Sequence, residues 1–202
     1  MVVGRGRHNG GVNQTDVAVA ELDTSVGRLR VAVTAAGLAE VGWVDTAREA
    51  PAPPSADPSR TEPILEQLRA YFRGEREQFD IALDWRSMSE TRRTVLQALF
   101  TSVGFGESIT YGGLADRSGT GVPARAIGGI MGSNPIPIVV PCHRVLSHDG
   151  LGGYSGGTGA DALEVKRWLL TMEGVLPPTL DFSPDGIAGG RSQQYVGDLP
   201  EQ

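Results

Sequence analysis

From residue 16 to about 44 the chain alternates short apolar runs, rich in Val, Leu and Ala, with polar residues. "SVG" and "AAG" break the runs, and a period of two punctuated by glycine turns predicts a β-meander. The Pro/Ala/Ser stretch "APPSADPSRTEP" follows and reads as a flexible loop. In "EPILEQLRAYFRG" the apolar residues Ile64, Leu65, Leu68, Tyr71 and Phe72 recur at helical spacing, and Gly74 ends the helix. "FDIALDW" reads as a final strand of this first unit.

The second half has a different rhythm. "SETRRTVLQALFTSV" is an amphipathic helix with Ser89 or Thr91 as its cap. "TYGGLADRSG" and "VPARAIGGIMGSN" are short helical stretches joined by a glycine-containing turn, the pattern of a helix-turn-helix. An apolar, strand-like run between prolines, "IPIVVP", leads into Cys142, His143 and Arg144. After the glycine-rich "GLGGYSGG", "ADALEVKRWLLTMEG" forms a last helix, stopped by Gly174 and Pro177–Pro178. Beyond about residue 179 no period remains, which predicts a loose tail. The expected class is α+β. Residues 1–85 form an N-terminal α/β domain with a small antiparallel sheet. Residues 86–176 form a mainly helical domain with the helix-turn-helix, and 177–202 form a C-terminal tail.

Charge adds a second asymmetry. The 202 residues carry a net charge of -6, which on its face argues against a nucleic-acid partner. Yet between Arg86 and His148 six arginines face three acids, so a locally basic middle lies between acidic flanks. Lys166 is the single lysine; the remaining cations are arginines, suited to bidentate phosphate contacts. The lone cysteine excludes an internal disulfide and a thiolate zinc cluster, so no metal is expected. No apolar run matches a membrane span, and the N-terminus lacks a signal-peptide core, so a cytoplasmic protein is expected.

Two readings of Cys142 stand on composition and spacing. Free cysteine is among the most buried residue types, which makes it core filler after an apolar run. Alternatively, Pro141 suits the first position of a helix, placing Cys142 in a first turn where unpaired N–H groups favour a thiolate. His143 then supplies a base nearby, but only if the chain turns, because in an extended strand it points away.

The ordered set "ITYGGLA", "PARAIGG", "SNP", "PCHRV", "GGYSGG" and "KRWLLTMEG", from about Ile109 to Gly174, closely resembles the O6-alkylguanine-DNA alkyltransferases. The first domain resembles that family's N-terminal domain in outline. The resemblance implies a single-turnover DNA repair reaction without cofactor, in which Cys142 accepts the alkyl group from O6-alkylguanine. O4-alkylthymine is a second candidate substrate. It implies that His143 takes the thiol proton through a water, that Glu173 steadies the imidazole, and that Asn134 ties the recognition segment to the cysteine loop. Tyr111 matches the tyrosine that donates to the guanine ring and helps rotate the nucleotide. Arg125 matches the arginine that fills the gap left by the flipped base, with Ala124 beside it at the DNA. Met131, Val145, Tyr154, Ser155 and Gly156 would line the pocket. Arg144 is expected to pair inside the protein.

Two departures stand out. Arg92-Arg93 replaces the family's usual Phe-Gln pair, which alters helix packing and adds candidate phosphate contacts, and the tail exceeds the family core. The expected partner is double-stranded DNA containing O6-alkylguanine, met by a monomer and away from membranes. The competing readings are a non-enzymatic lesion-binding protein, which an intact "PCHRV" disfavours, and a Cys142–His143 thiol hydrolase, which the helix-turn-helix disfavours.

Overall fold

The computed structural model describes residues 17–50, 57–157 and 162–179, together with 183 and 187. Strands β1 (Ala18–Thr24), β2 (Gly27–Thr34) and β3 (Gly37–Trp43) pair antiparallel in that order. Their alternation turns Leu29, Val31 and Val33 of β2 inward, where α1 (Pro58–Phe72) packs through Ile64, Leu65, Leu68 and Tyr71. Gly37 makes the β2–β3 turn at φ 129°, and a Cβ there would strike the carbonyl of Ala82.

Helix α1 starts at Pro58, earlier than apolar spacing implied, because a proline fits the first helical turn, where its missing N–H is not needed. The expected flexible loop is correspondingly shorter; residues 51–56 lie outside the described part. The expected strand at 79–85 is corrected to a single bridge between Leu38 and Leu83. Leu38 N–H donates to Ala82 O and Asp84 N–H to Leu38 O, both at 2.8 Å. Asp84 then turns inward to the Thr34 hydroxyl at 2.7 Å and pairs with Arg86, which takes the chain off the sheet edge.

The second half is helical. It comprises α2 (Glu90–Ser102), β4 (Ile109–Thr110), α3 (Tyr111–Ser118), α4 (Ala124–Gly132), β5 (Val145–Leu146) and α5 (Ala162–Met172). Thr110 caps α3 by accepting from Gly113 N–H at 3.0 Å, and Gly119 ends it in the left-handed region. Helices α2, α3 and α4 pack on one another, so α3 and α4 form the helix-turn-helix on a buried base of Leu96, Leu99, Leu114 and Ile127. The class is α+β, as expected.

The apolar run Ile136–Val140 is not a strand. It is buried and built from successive turns, with Val139 N–H donating to Pro137 O and Val140 N–H to Ile136 O, both at 2.9 Å. Pro135, Pro137 and Pro141 remove the N–H groups that a sheet ladder needs. Ile138 sits at φ 72°, the one left-handed non-glycine residue among those described. For a β-branched residue that conformation costs roughly 1–3 kcal/mol, and full burial of its side chain holds it in place.

One hydrophobic cluster runs through both halves. Val41 N–H of β3 also donates to Pro135 O at 2.8 Å. Most of the expected loose tail lies outside the described residues, but Trp168 Nε1 donates to Ser183 O, and Ile187 N–H to Ser25 O, each at 2.8 Å. Among the described residues no helix is long and apolar enough to cross a membrane.

Candidate active site

Pro141 adopts φ -81° and ψ 64°, an inverse γ-turn closed by Cys142 N–H donating to Val140 O at 2.8 Å. Cys142, His143 and Arg144 then form one 3-10 turn. The helical start expected at Pro141 is therefore a tight turn, too short to supply a helix dipole. Cys142, His143 and Arg144 are all buried in that turn.

The Cys142 side chain closes the inner end of a cavity of about 340 Å³ lined by Tyr111, Gly128, Met131, Gly132, Gly153, Tyr154 and Ser155. That volume falls in the range of small-ligand pockets. Burial pushes the Cys142 thiol above its usual range. The Asn134 hydrogen bond, the Lys166 charge and the N–H groups of Cys142 and His143 pull the other way without overcoming it. At neutral pH the free protein therefore holds a thiol, and a base must take its proton.

His143 is fully buried and adjoins that thiol in sequence. Its Nε2 lies 2.9 Å from Glu173 Oε1. A carboxylate only accepts, so Nε2 carries the proton and Nδ1 is the basic nitrogen. Nδ1 is buried and has no hydrogen-bond partner among the described residues. Burial lowers the His143 pKa against the pull of Glu173, and Arg144 and Lys166 lower it further, which keeps the ring neutral and ready to accept a proton.

Glu173 lies one residue past α5 and is 3 % exposed. Arg144 Nε donates to its Oε2 at 2.9 Å and an Arg144 terminal nitrogen to its Oε1 at 2.9 Å, while the other terminal nitrogen donates to Val103 O at 2.8 Å. Burial pushes the carboxyl up, but His143 and Arg144 outweigh it and hold the group at about 2. The Tyr71 hydroxyl of α1 donates to the same Oε1 at 2.6 Å. Arg144 thus pairs inside the protein.

Asn134 follows α4. Its Nδ2 donates to Val140 O at 2.9 Å, its Oδ1 accepts from Ile136 N–H at 3.1 Å, and its side chain also bonds the Cys142 thiol. One amide therefore joins the helix-turn-helix to the cysteine turn. On the far wall, Tyr111 opens α3 and donates to Gly153 O at 3.3 Å. Gly152, at φ 69°, lies so close that a Cβ would stand 2.9 Å from the Tyr111 ring. Ala124 and Arg125 are exposed at the start of α4, and the Arg125 side chain has no ion pair or hydrogen bond with any described residue.

Two pocket expectations need correction. Val145 is fully buried in β5 and does not line the cavity, because the strand turns it into the core. Gly156 does not line it either. It packs behind Tyr154, where a Cβ would collide with the rings of Tyr154 and Trp43. Trp43 meets Tyr154 edge-on at 6.2 Å, so β3 backs the pocket wall.

Sequence reasoning missed two residues. Lys166 is fully buried, with Nζ donating to the carbonyls of Val145 at 2.7 Å, Leu151 at 2.5 Å and Gly153 at 3.0 Å. It pins the loop that forms the pocket's rim, and burial lowers its pKa to about 8 even though Cys142 raises it. Its position on the apolar face of α5, between Val165 and Leu169–Leu170, was the available signal. Tyr71 is the second, and its spacing marked it only as core. Among the described residues no cluster of His, Cys, Asp and Glu could hold a metal.

Fold and site together define a class: a buried cysteine with a histidine–carboxylate pair, at the base of a cavity beside a helix-turn-helix. Comparisons with known proteins agree. The family description "6-O-methylguanine DNA methyltransferase, DNA binding domain" matches residues 90–175, and its "ribonuclease-like domain" matches residues 19–85. The methylated-DNA–protein-cysteine methyltransferase of Homo sapiens is 40 % identical over 169 residues, which is 76 % of this chain and 78 % of that one. That of Mycolicibacterium paratuberculosis is 49 % identical over 110 residues, 54 % of this chain, and the match spans 62 % of the relative's length. The crystal structure of Mycobacterium tuberculosis O6-methylguanine methyltransferase superposes with a TM-score of 0.64 at 34 % identity, covering 81 % of this chain and 97 % of that one. Mycobacterium tuberculosis OGT in complex with DNA gives a TM-score of 0.64 at 34 % identity, over 79 % of this chain and 94 % of its own. The chain belongs to the methylated-DNA–protein-cysteine methyltransferase family.

Proposed function

We propose that this protein repairs DNA by moving the alkyl group of O6-alkylguanine irreversibly onto Cys142. The observation that carries the reading is the Cys142 thiol at the inner end of a cavity, with the neutral His143, next to it in the chain, braced by Glu173. The attacked carbon lies inside a stacked duplex, so the nucleotide must rotate out before the thiol can reach it. Arg125, exposed at the head of α4 and without a partner among the described residues, occupies the gap in the stack, and Ala124 lets the helix approach the backbone closely. Tyr111 and Ser155 face the extruded base, and Met131 and Tyr154 enclose its alkyl group.

The thiol proton passes through a water to His143 Nδ1 as the sulfur–carbon bond forms and the carbon–O6 bond breaks. The bonding pair leaves on the guanine, and Tyr111 donates to the ring as charge develops there. No second thiol or cofactor regenerates the sulfur, so each molecule acts once. Functionally the chain divides into an N-terminal domain at 1–85, an acceptor domain at 86–176 and a tail at 177–202. The protein works as a cytoplasmic monomer.

Incubation with duplex DNA carrying O6-methylguanine, followed by digestion and mass spectrometry, is expected to show S-methylcysteine at position 142 in a one-to-one ratio with DNA repaired. More repair events than protein molecules would refute the single-use reading. An unmodified Cys142 peptide from a lesion-bound complex would favour lesion binding. O4-methylthymine in the same duplex tests the second substrate.

Arg125→Ala is expected to slow transfer from duplex DNA by about 10-fold or more, in line with the roughly 1–3 kcal/mol of one well-placed arginine. Transfer from the free O6-methylguanine base should change by less than about twofold. Equal losses on both substrates would count against a role in base rotation. DNA affinity should fall with added salt, because phosphate contacts release counterions.

A further inference from the structure

Glu173 Oε1 accepts three hydrogen bonds while Oε2 accepts one. Two of the Oε1 donors, His143 and Arg144, belong to the cysteine turn itself. The third comes from elsewhere in the fold: Tyr71, 102 positions away in sequence, reaches from the last turn of α1. Its ring is caged by Phe72, Phe79 and Phe105, at centroid distances of 5.3, 5.2 and 6.3 Å. A phenylalanine would fill that cage equally well, so packing alone does not call for the oxygen. A buried phenol without a partner would be costly, and this one's partner is the oxygen that also holds the imidazole.

We propose that Tyr71 is a positioning residue for alkyl transfer: its hydroxyl shares Glu173 Oε1 with His143 and sets how strongly the carboxylate holds the imidazole. This rests on the alkyl-transfer reading above. Glu173 is faced by Tyr71 from α1 and by His143 and Arg144 from the turn, with Tyr154 of the pocket wall also near it; His143 in addition feels Lys166 from α5. With the phenol in place, part of the charge on Oε1 is spent on Tyr71, and the imidazole stays neutral and able to take the thiol proton. Without it the full charge of Oε1 falls on the His143 N–H and Arg144. Protonated His143 is then favoured, and a protonated ring accepts nothing.

The test is Tyr71→Phe in the full chain, with single-turnover transfer from an O6-methylguanine duplex followed from about pH 5 to about pH 9. The acid limb of the rate profile is expected to move up by roughly half to one pH unit, slowing transfer near pH 6 by about 3- to 10-fold. Duplex affinity should stay within about twofold, because Tyr71 is fully buried. An unmoved limb overturns the proposal, even if the melting temperature falls, since a packing role lowers stability without touching the profile. Should Tyr71→Phe fail to fold, wild-type protein labelled at tyrosine 13Cζ and histidine 15N gives the answer. The Tyr71 resonance must then shift as His143 titrates, and indifference to that titration overturns the proposal. Carboxymethylation of Cys142 by iodoacetate, which needs no DNA, is followed in parallel. Wild-type protein that carboxymethylates but never takes methyl from DNA removes the repair reading, whereas normal transfer with an unmoved limb removes only the role of Tyr71.

Discussion

Cys142→Ala is expected to abolish alkyl transfer while leaving a folded protein that still binds the lesion. Nothing else can take over as acceptor. It is the only cysteine, and of the polar side chains lining the cavity, Tyr111, Tyr154 and Ser155 carry hydroxyls whose ionisation lies far above neutral pH. The rate should fall by on the order of 1,000-fold or more, to the limit of detection. Stability should change by only about 1 kcal/mol, because Asn134 keeps its bonds to Val140 and Ile136 when the thiol is removed. Gel-shift titration with an O6-methylguanine duplex should give a complex that persists instead of resolving into repaired DNA and spent protein. Methyl transfer by this variant at more than about a thousandth of the native rate would show that Cys142 is not the acceptor.

Glu173→Gln should damage both stability and chemistry. Arg144, itself buried, would lose its only anionic partner among the described residues, and stranding a buried charge costs about 3–5 kcal/mol. For a chain of this size that lowers the melting temperature by roughly 10 °C. One amide oxygen cannot serve His143, Arg144 and Tyr71 together, so the imidazole loses its fixed tautomer and transfer should slow by about 100-fold or more. Thermal melts and single-turnover kinetics separate the two effects. A variant melting within about 2 °C of the native protein would contradict the role given to Arg144.

The same site sets the response to acid. His143 has its pKa lowered in the folded state by burial, so folding favours the neutral ring, and stability declines as pH falls below the unfolded value of 6.5. Glu173 is held at about 2 against an ordinary 4.5, so its contribution is fully present above 4.5 and is lost as pH falls toward 2. Acid unfolding of the native protein should therefore proceed in two stages. Glu173→Gln should shrink the lower one, leaving the part due to Asp84, whose carboxyl Arg86 and Thr34 also hold low.

These results turn on residues of two kinds. Tyr111, Arg125, Asn134, Cys142 and His143 sit in short ordered segments of one half of the chain, each within its own turn or helix start, so a linear reading reaches them. The helix-turn-helix was legible for the same reason, because its hydrophobic period, its glycine stop and its cap are local. The run Ile136–Val140 misled because total burial gives a helix, a strand and a coiled turn the same apolar spelling. Only the three prolines hinted that no ladder could form. Val145 misled in a similar way, since a two-residue strand decides which face it shows and periodicity does not.

The sequence by itself determined the β-meander, the helix-turn-helix and the presence of a lone cysteine followed by a histidine, because those features depend on neighbours in the chain. Only the tertiary structure decided that Cys142 rests as a thiol, that Lys166 pins the pocket rim, and that Tyr71 reaches Glu173 from the other half. Those outcomes depend on burial and on contacts across as many as 102 positions, where desolvation outweighs the local pull of a turn's N–H groups.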